Sequence, residues 1–257
     1  MAFDWMIVAL ACAGAGAVAI VAIGFTLRKL GRVAAMDVLW GPLVLILSVA
    51  AAVTGTILGT AGLLTWILVA LIALWAWRLA LHIGTRFGSD AEDPRYEELM
   101  AKPATSLLKA VLLPQGAVAW VISLPVQAAA VAGDPSWPVV AVGVAVGLAG
   151  LVFETIADRQ LETFRQSNES GGIMDQGLWS WSRHPNYFGE AVIWWGVWIA
   201  AATAWPGALT VISPALMTYV LIKGTGVRIM EKHMEGRPGW DEYADRTSIF
   251  TPLPPKD

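Results

Sequence analysis

Cysteine, histidine and tyrosine, which supply many soluble active sites, are all scarce in this chain. There is one cysteine, three histidines and four tyrosines among 257 residues. A single cysteine excludes an internal disulfide and any cysteine-built metal site. Cys12 lies in an Ala/Gly-rich apolar run and reads as a small packed side chain. The histidines, His82, His184 and His233, form no HxxxH or HxxH pair, which argues against a metal site. Charge is also sparse, at 14% of residues, and the net charge of −3 comes from loops of mixed sign. Nothing in that balance suggests a nucleic-acid partner.

What the chain has is apolar surface and tryptophan. It is 56% hydrophobic with fourteen Trp, and its mean hydropathy is +0.60. All seventeen Lys and Arg fall into four stretches: Arg28 to Arg32, Arg78 to Lys109, Arg159 to Arg183 and Lys223 to Lys256. Long apolar segments separate them, and all four can lie on one side of a membrane. Such sorting follows the positive-inside pattern of polytopic membrane proteins. Met1 to Leu27 has no basic n-region, and its apolar run continues to Phe25. It is therefore expected to be an uncleaved first span entering from the non-cytoplasmic side.

The hydropathy predicts an all-α, polytopic helical membrane protein of about seven transmembrane helices, near 4–27, 36–58, 61–81, 107–131, 137–157, 188–204 and 207–223. Six spans plus a re-entrant hairpin is the alternative, because the last two are short and turn around Trp205-Pro206-Gly207. Pro125 should kink the fourth span or unwind it. This arrangement makes 1–257 one membrane domain, with the N-terminus outside and the C-terminus cytoplasmic. An inner membrane of bacterial type is the expected location. The opposite side keeps only short links such as Gly133-Asp134-Pro135, so any elaborate site opens toward the cytoplasm. The pairs Gly55/Gly59 and Gly143/Gly147 have the spacing that lets helices approach closely in lipid. Trp194, Trp195 and Trp198 read first as packing and second as a substrate wall.

Polar density rises at Glu154. Asp158 and Arg165 are two helical turns apart and share a face. The Arg165 fork suits a phosphate, and Asp158 can accept hydrogen bonds from ribose or amide groups. An ordinary helix end with solvated charges is the competing reading. In Arg183-His184-Pro185-Asn186-Tyr187-Phe188-Gly189-Glu190, the proline starts a helix and Glu190 falls inside an apolar run. A carboxylate there needs a partner, either Arg183, His184 or a cationic cofactor group. A purely structural Arg–Glu pair is the rival explanation. The tail adds Arg228 and Glu231, three apart on one helical face, and then Tyr243 and Arg246. So polar a tail could fold back as a lid on the 158–187 loop. Together these anchors suggest a pocket for a water-soluble anionic cofactor, with the substrate arriving through lipid. His82 and His233 read as non-catalytic. No glycine-rich dinucleotide fingerprint follows a strand, which excludes a Rossmann domain but not a nicotinamide cofactor held between helices.

At Ala157-Asp158-Arg159-Gln160, Phe164, Gly177-Leu178-Trp179, Ser182 to Glu190 and Trp194-Trp195-Gly196 the chain resembles the DUF1295 branch of the steroid 5-alpha-reductase-like membrane proteins. The motifs fall within 150–257, the expected cofactor-binding part. Residues 1–149, the N-terminal helical part, match by hydropathy and length. The resemblance implies NADPH in a cavity open to the cytoplasm, held by Asp158, Arg165, Asn186, Tyr243 and Arg246. Arg183, His184, Tyr187, Glu190 and Glu231 would complete the pocket. It further implies hydride delivery to the β-carbon of an activated C=C bond in a steroid, isoprenoid or fatty enone, with a polar donor stabilising the enolate oxygen. Spans one to three contain no Tyr and no internal Glu, so the Glu–Tyr pair that grips a steroid ketone in better-understood members has no counterpart. Tyr187 and Glu190 are the catalytic candidates, and Tyr96, Tyr219 and Tyr243 are the remaining tyrosines. The same RHPNYFGE segment and the tail also resemble the isoprenylcysteine and phospholipid methyltransferases, which implies S-adenosylmethionine instead. Asp158, Arg165 and Asn186 fit the reductase pattern better. A non-catalytic lipid-binding protein is the third reading; membrane lipids are expected partners in every case.

Overall fold

The computed structural model describes residues 1–86, 103–167, 172–224 and 226–256, and among them every regular element is helical. The elements are α1 (Ala2–Leu30), α2 (Ala35–Ile57), α3 (Leu63–Arg86), α4 (Ala104–Leu107), α5 (Leu113–Ile122), α6 (Leu124–Ala129), α7 (Trp137–Gln166), α8 (Pro185–Ala201), α9 (Ile212–Tyr219), α10 (Val227–Met234) and α11 (Trp240–Arg246). A π-helical turn, Leu108–Leu112, joins α4 to α5, and another, Val220–Gly224, extends α9. Tyr96 lies outside the described residues.

Among the described residues, six helical stretches are long and apolar enough to cross a membrane: Ala2–Leu30, Ala35–Ile57, Leu63–Thr85, Ala104–Ile122, Trp137–Gln166 and Gly207–Met234. The chain is thus an all-α, polytopic membrane protein with about six such helices, one fewer than the sequence predicts. The difference is the segment read as 188–204. Its helix, α8, has 17 residues, short of the roughly 20 that cross a bilayer upright. Pro185 fixes its first turn, and the Trp205-Pro206-Gly207 turn follows its end. The predicted fourth span is also shorter. It breaks after Ile122, because Pro125 has no N–H to continue the ladder.

The helices fall into two compact units. One holds Met1–Val140 and Ala200–Ser213; the other holds Ala141–Ile199 and Pro214–Asp257.

In the first unit α2 carries a buried stripe at helical spacing, Leu43, Val44, Leu47, Ser48, Ala51, Ala52 and Gly55. A β-carbon on Gly55 would sit 2.5 Å from the Ala130 carbonyl oxygen, so only glycine permits that approach. Gly59 has a different job, ending the α2 region in the left-handed conformation at φ 72°. Cys12 is fully buried, its thiol 3.4 Å from the Leu47 carbonyl. Carbonyls freed where helices break find hydroxyl donors. Thr60 donates to Ala130 O at 2.7 Å, Thr65 to Ala129 O at 2.9 Å and Ser213 to Ile122 O at 2.8 Å. Without water in a bilayer core, such groups must be satisfied internally.

The second unit is organised by the crossing of α7 and α8. A β-carbon on Gly150 would meet Gly189 O at 2.7 Å, one on Gly189 would meet Glu154 N at 2.7 Å, and one on Gly196 would meet Gly143 O at 2.6 Å. The two backbones therefore touch along three turns. Gly143 and Gly147, paired by spacing in the sequence, form the bed for Gly196. Trp194 is fully buried in this unit.

Candidate functional site

The glycine crossing sets the register of the polar residues. Gly189 lies on Glu154, and the two helices run antiparallel there. One turn back along α8 therefore meets one turn forward along α7, bringing Asn186 against Asp158. Asn186 Nδ2 donates to Asp158 Oδ1 at 3.0 Å, and the aspartate is buried.

Ahead of α8 the chain is pinned from two sides. The Trp179 indole donates to Ala157 O at 3.0 Å, and Leu178 N donates to Gln160 Oε1 at 3.0 Å, fastening the loop to the end of α7. The C-terminal segment holds the other side. Arg183 N donates to Ser248 O at 2.8 Å, Leu253 N to Trp181 O at 3.0 Å, and the Ser182 hydroxyl to Phe250 O at 2.8 Å. Ser182 Oγ in turn accepts from His184 N at 3.1 Å, which fixes the turn into Pro185. The polar tail thus folds back on the loop, as the sequence suggested.

Glu231 on α10 is the hub of the cluster. Its carboxylate forms an ion pair with Arg183 Nη2 at 3.1 Å and lies 2.7 Å from His184 Nε2, so the imidazole donates from that nitrogen. The Arg183 guanidinium also lies 5.6 Å from the Trp240 ring centroid, within cation–π range. The His184 and Tyr187 rings are parallel to within 10°, with centroids 5.7 Å apart. Gly226, just ahead of α10, would place a β-carbon 3.2 Å from Tyr187 Cε2, so α10 starts close against that ring.

Tyr243 and Arg246 serve the loop. The buried Tyr243 hydroxyl donates to Trp179 O at 2.7 Å, and Arg246 pairs with Asp175. Burial pushes the Tyr243 hydroxyl well above the usual tyrosine range, with smaller opposing influences led by Arg183. It stays a neutral donor at physiological pH.

Of the residues expected from sequence, Arg183, His184, Tyr187 and Glu231 come together, and Asn186, next to Tyr187 in the chain, pairs with Asp158 on α7. Glu190 is buried on α8 a turn beyond Asn186. Arg165 is exposed on α7, about 10 Å along the helix axis from Asp158. Asp175 escaped sequence reasoning, and Ser182 and Trp240 drew notice only as members of longer motifs. Trp240 alone carried a signal, as an isolated indole in a polar tail.

Two buried polar atoms at the cluster have no hydrogen-bond partner among the described residues: Arg183 Nε and Asn186 Oδ1. They present one donor and one acceptor, which suits a ligand carrying both an anionic oxygen and a hydroxyl or amide. A groove of about 520 Å³ lies elsewhere, along the α7 stripe Ile156, Arg159, Gln160, Thr163 and Phe164 with Met174 opposite. None of the sequence-predicted site residues lines it. Among the described residues no three acidic, cysteine or histidine side chains gather in a way that could hold a metal.

The sequence profile described as "Protein of unknown function (DUF1295)" matches residues 25–247. Over 76 residues the chain is 32% identical to the steroid 5-alpha-reductase DET2 of Arabidopsis thaliana, covering 29% of each sequence. The chain thus spans under a third of the length of that curated relative. No solved structure matches it.

Proposed function

The chain belongs to the DUF1295 family, and we propose that it is a membrane-embedded reductase that uses NADPH to saturate an activated C=C bond of a lipophilic substrate. The observation that carries this reading is the Asp158–Asn186 hydrogen bond beside the Arg183–Glu231–His184 bridge. The similarity to a steroid reductase supports it. Asp158 orients the Asn186 amide so that Oδ1 accepts from a ribose hydroxyl or a carboxamide. Arg183, held by Glu231 and Trp240, offers Nε to a phosphate oxygen. Arg165 fits a more peripheral phosphate, from the exposed end of α7. Tyr243 and Arg246 keep the 175–179 loop in place. When bound, NADPH supplies a hydride. Tyr187 and Glu190 are the polar side chains of α8 nearest the cluster and remain the candidates for the substrate's carbonyl and proton. The basic connections are cytoplasmic in this reading, with the N-terminus outside, so the cofactor comes from the cytoplasm and the substrate from the bilayer.

A second reading rests on the Glu231 bridge itself. A tail glutamate beside Arg-His-Pro is what the methyltransferase resemblance implies, with S-adenosylmethionine as cofactor. The deciding experiment is equilibrium titration of detergent-purified protein with NADPH and with S-adenosylmethionine, alongside Arg165→Ala and Asn186→Asp. Saturable NADPH binding, weakened by Asn186→Asp because the amide donor that orients Oδ1 is replaced by a second carboxylate facing Asp158, supports the reductase. Binding of S-adenosylmethionine alone would replace it with the methyltransferase. Binding of neither would leave catalysis unsupported.

A further inference from the structure

The apolar part of the last long stretch ends at Ile222, and the next fifteen residues, 223–237, hold seven ionisable side chains. Helix α10 begins within this run, three residues past Gly224. Chain continuity therefore places its start at the membrane face rather than in the hydrocarbon.

Its two faces are chemically distinct. Val227, Glu231 and Met234 follow helical spacing on the inner face, where Val227 is buried and Glu231 holds Arg183 and His184. Arg228 and Lys232, one turn apart, are exposed on the outer side next to Ile229, which is 45% exposed. Neither cation has a hydrogen bond or ion pair among the described residues. Exposed Lys223 and Arg237 flank the helix, against one exposed carboxylate, Glu235. A cationic face with an exposed apolar residue alongside it, joined directly to a membrane span, has the make-up of an interfacial helix.

We infer that the outer face of α10 docks on anionic phospholipid headgroups, through Arg228 and Lys232 with Ile229 inserted beside them. The partner is the charged bilayer surface next to the last span, and the contact steadies the helix that carries Glu231. This goes beyond the reductase reading, because the docking needs no cofactor and no reaction.

Hydrogen–deuterium exchange of the full chain in nanodiscs tests it without any ligand. Nanodiscs of phosphatidylcholine alone are compared with nanodiscs that also contain phosphatidylglycerol. The expected result is slower exchange of the 227–234 amides in the anionic bilayer. Each cation should contribute roughly fivefold to the docked population, and high salt should abolish the difference. Arg228→Gln with Lys232→Gln should remove it while exchange in α7 and α8 stays unchanged. Equal exchange in the two bilayers would overturn the inference, as would a lipid effect that survives the double substitution. Failure of NADPH to bind would leave this result untouched, so the two readings fail separately.

Discussion

The two units of this chain lean on polar groups differently. In the first, hydroxyls and one thiol point at backbone carbonyls: Thr60 and Thr65 at the end of α6, Ser213 at the end of α5, Cys12 at α2. In the second, side chains bind one another: Asn186 with Asp158, Glu231 with Arg183 and His184, Arg246 with Asp175. Polar side chains in the first unit repair the backbone where helices break inside a membrane. Those in the second need geometry to meet, and the glycine-lined crossing of α7 and α8 supplies it. One unit directs its polar groups at its own backbone, the other holds polar side chains in register.

The sharpest way to break that contrast is to fill a glycine in each unit. Gly196→Leu drives a branched side chain into the α7 backbone, where even a β-carbon would be 2.6 Å from Gly143 O. Overpacking of this kind costs about 1–3 kcal/mol or more, since backbone cannot step aside. The expected outcome is a large fall in the thermal midpoint in detergent and loss of cofactor binding. Gly14→Ala in α1 has nothing within 4 Å of the new carbon. It should be neutral or gain about 0.5–1 kcal/mol from helix propensity. Thermal unfolding followed by size exclusion reads both, and equal losses would show that the crossing has no special role.

Next in size is the charge hub. Glu231→Gln keeps the shape but leaves Arg183 facing a neutral amide. Breaking a fully buried pair costs about 3–5 kcal/mol. This pair is partly solvated, at 12% and 19% exposure, so the stability loss should be well below that. Affinity for the cofactor should fall by at least about tenfold, as expected when a phosphate-binding arginine loses its anchor. Asn186→Asp sharpens the point, since it sets two carboxylates at hydrogen-bond distance and should weaken binding without unfolding the chain. Calorimetric titration beside the thermal midpoint separates the two effects.

Hydropathy and charge sorting made the spans of the first unit legible, because lipid exposure imposes length and composition on every crossing helix. Less legible is α8, which at 17 residues is shorter than any of the six long apolar stretches. The segment 188–204 looks like a span although Glu190 falls within it, yet nothing in hydropathy reveals that a proline start and a tight turn cap both ends. At the site, the identities of Asp158, Arg183, His184, Asn186 and Glu231 stood out as polar residues in or beside apolar runs. Their pairing did not. Helical spacing matched Glu231 with Arg228, three residues away, whereas the fold gives it Arg183 and His184 from a segment about fifty residues earlier. Local periodicity ranks neighbours on one helix and says nothing about a partner brought in by the tail. Asp175 was invisible for the same reason, an acidic residue in a loop with no periodicity to mark it.

The smallest expected effect concerns the tail itself. Tyr243→Phe removes one buried donor to Trp179 O, at a cost of about 1–2 kcal/mol because the carbonyl is left unsatisfied. The substitution also carries a pH signature. Burial raises the folded-state value of the hydroxyl above its unfolded value, so its contribution is fully present below about pH 10, where the free tyrosine titrates. That contribution is lost as pH rises further, because the unfolded chain releases its proton first. Stability of the native chain should therefore be flat through neutrality with respect to this group and fall in alkali. In Tyr243→Phe the neutral-pH stability should be lower and the alkaline fall shallower. A profile parallel to the native one would mean that the hydroxyl is solvated, and that the loop at Trp179 is held by Arg246 and Asp175 without it.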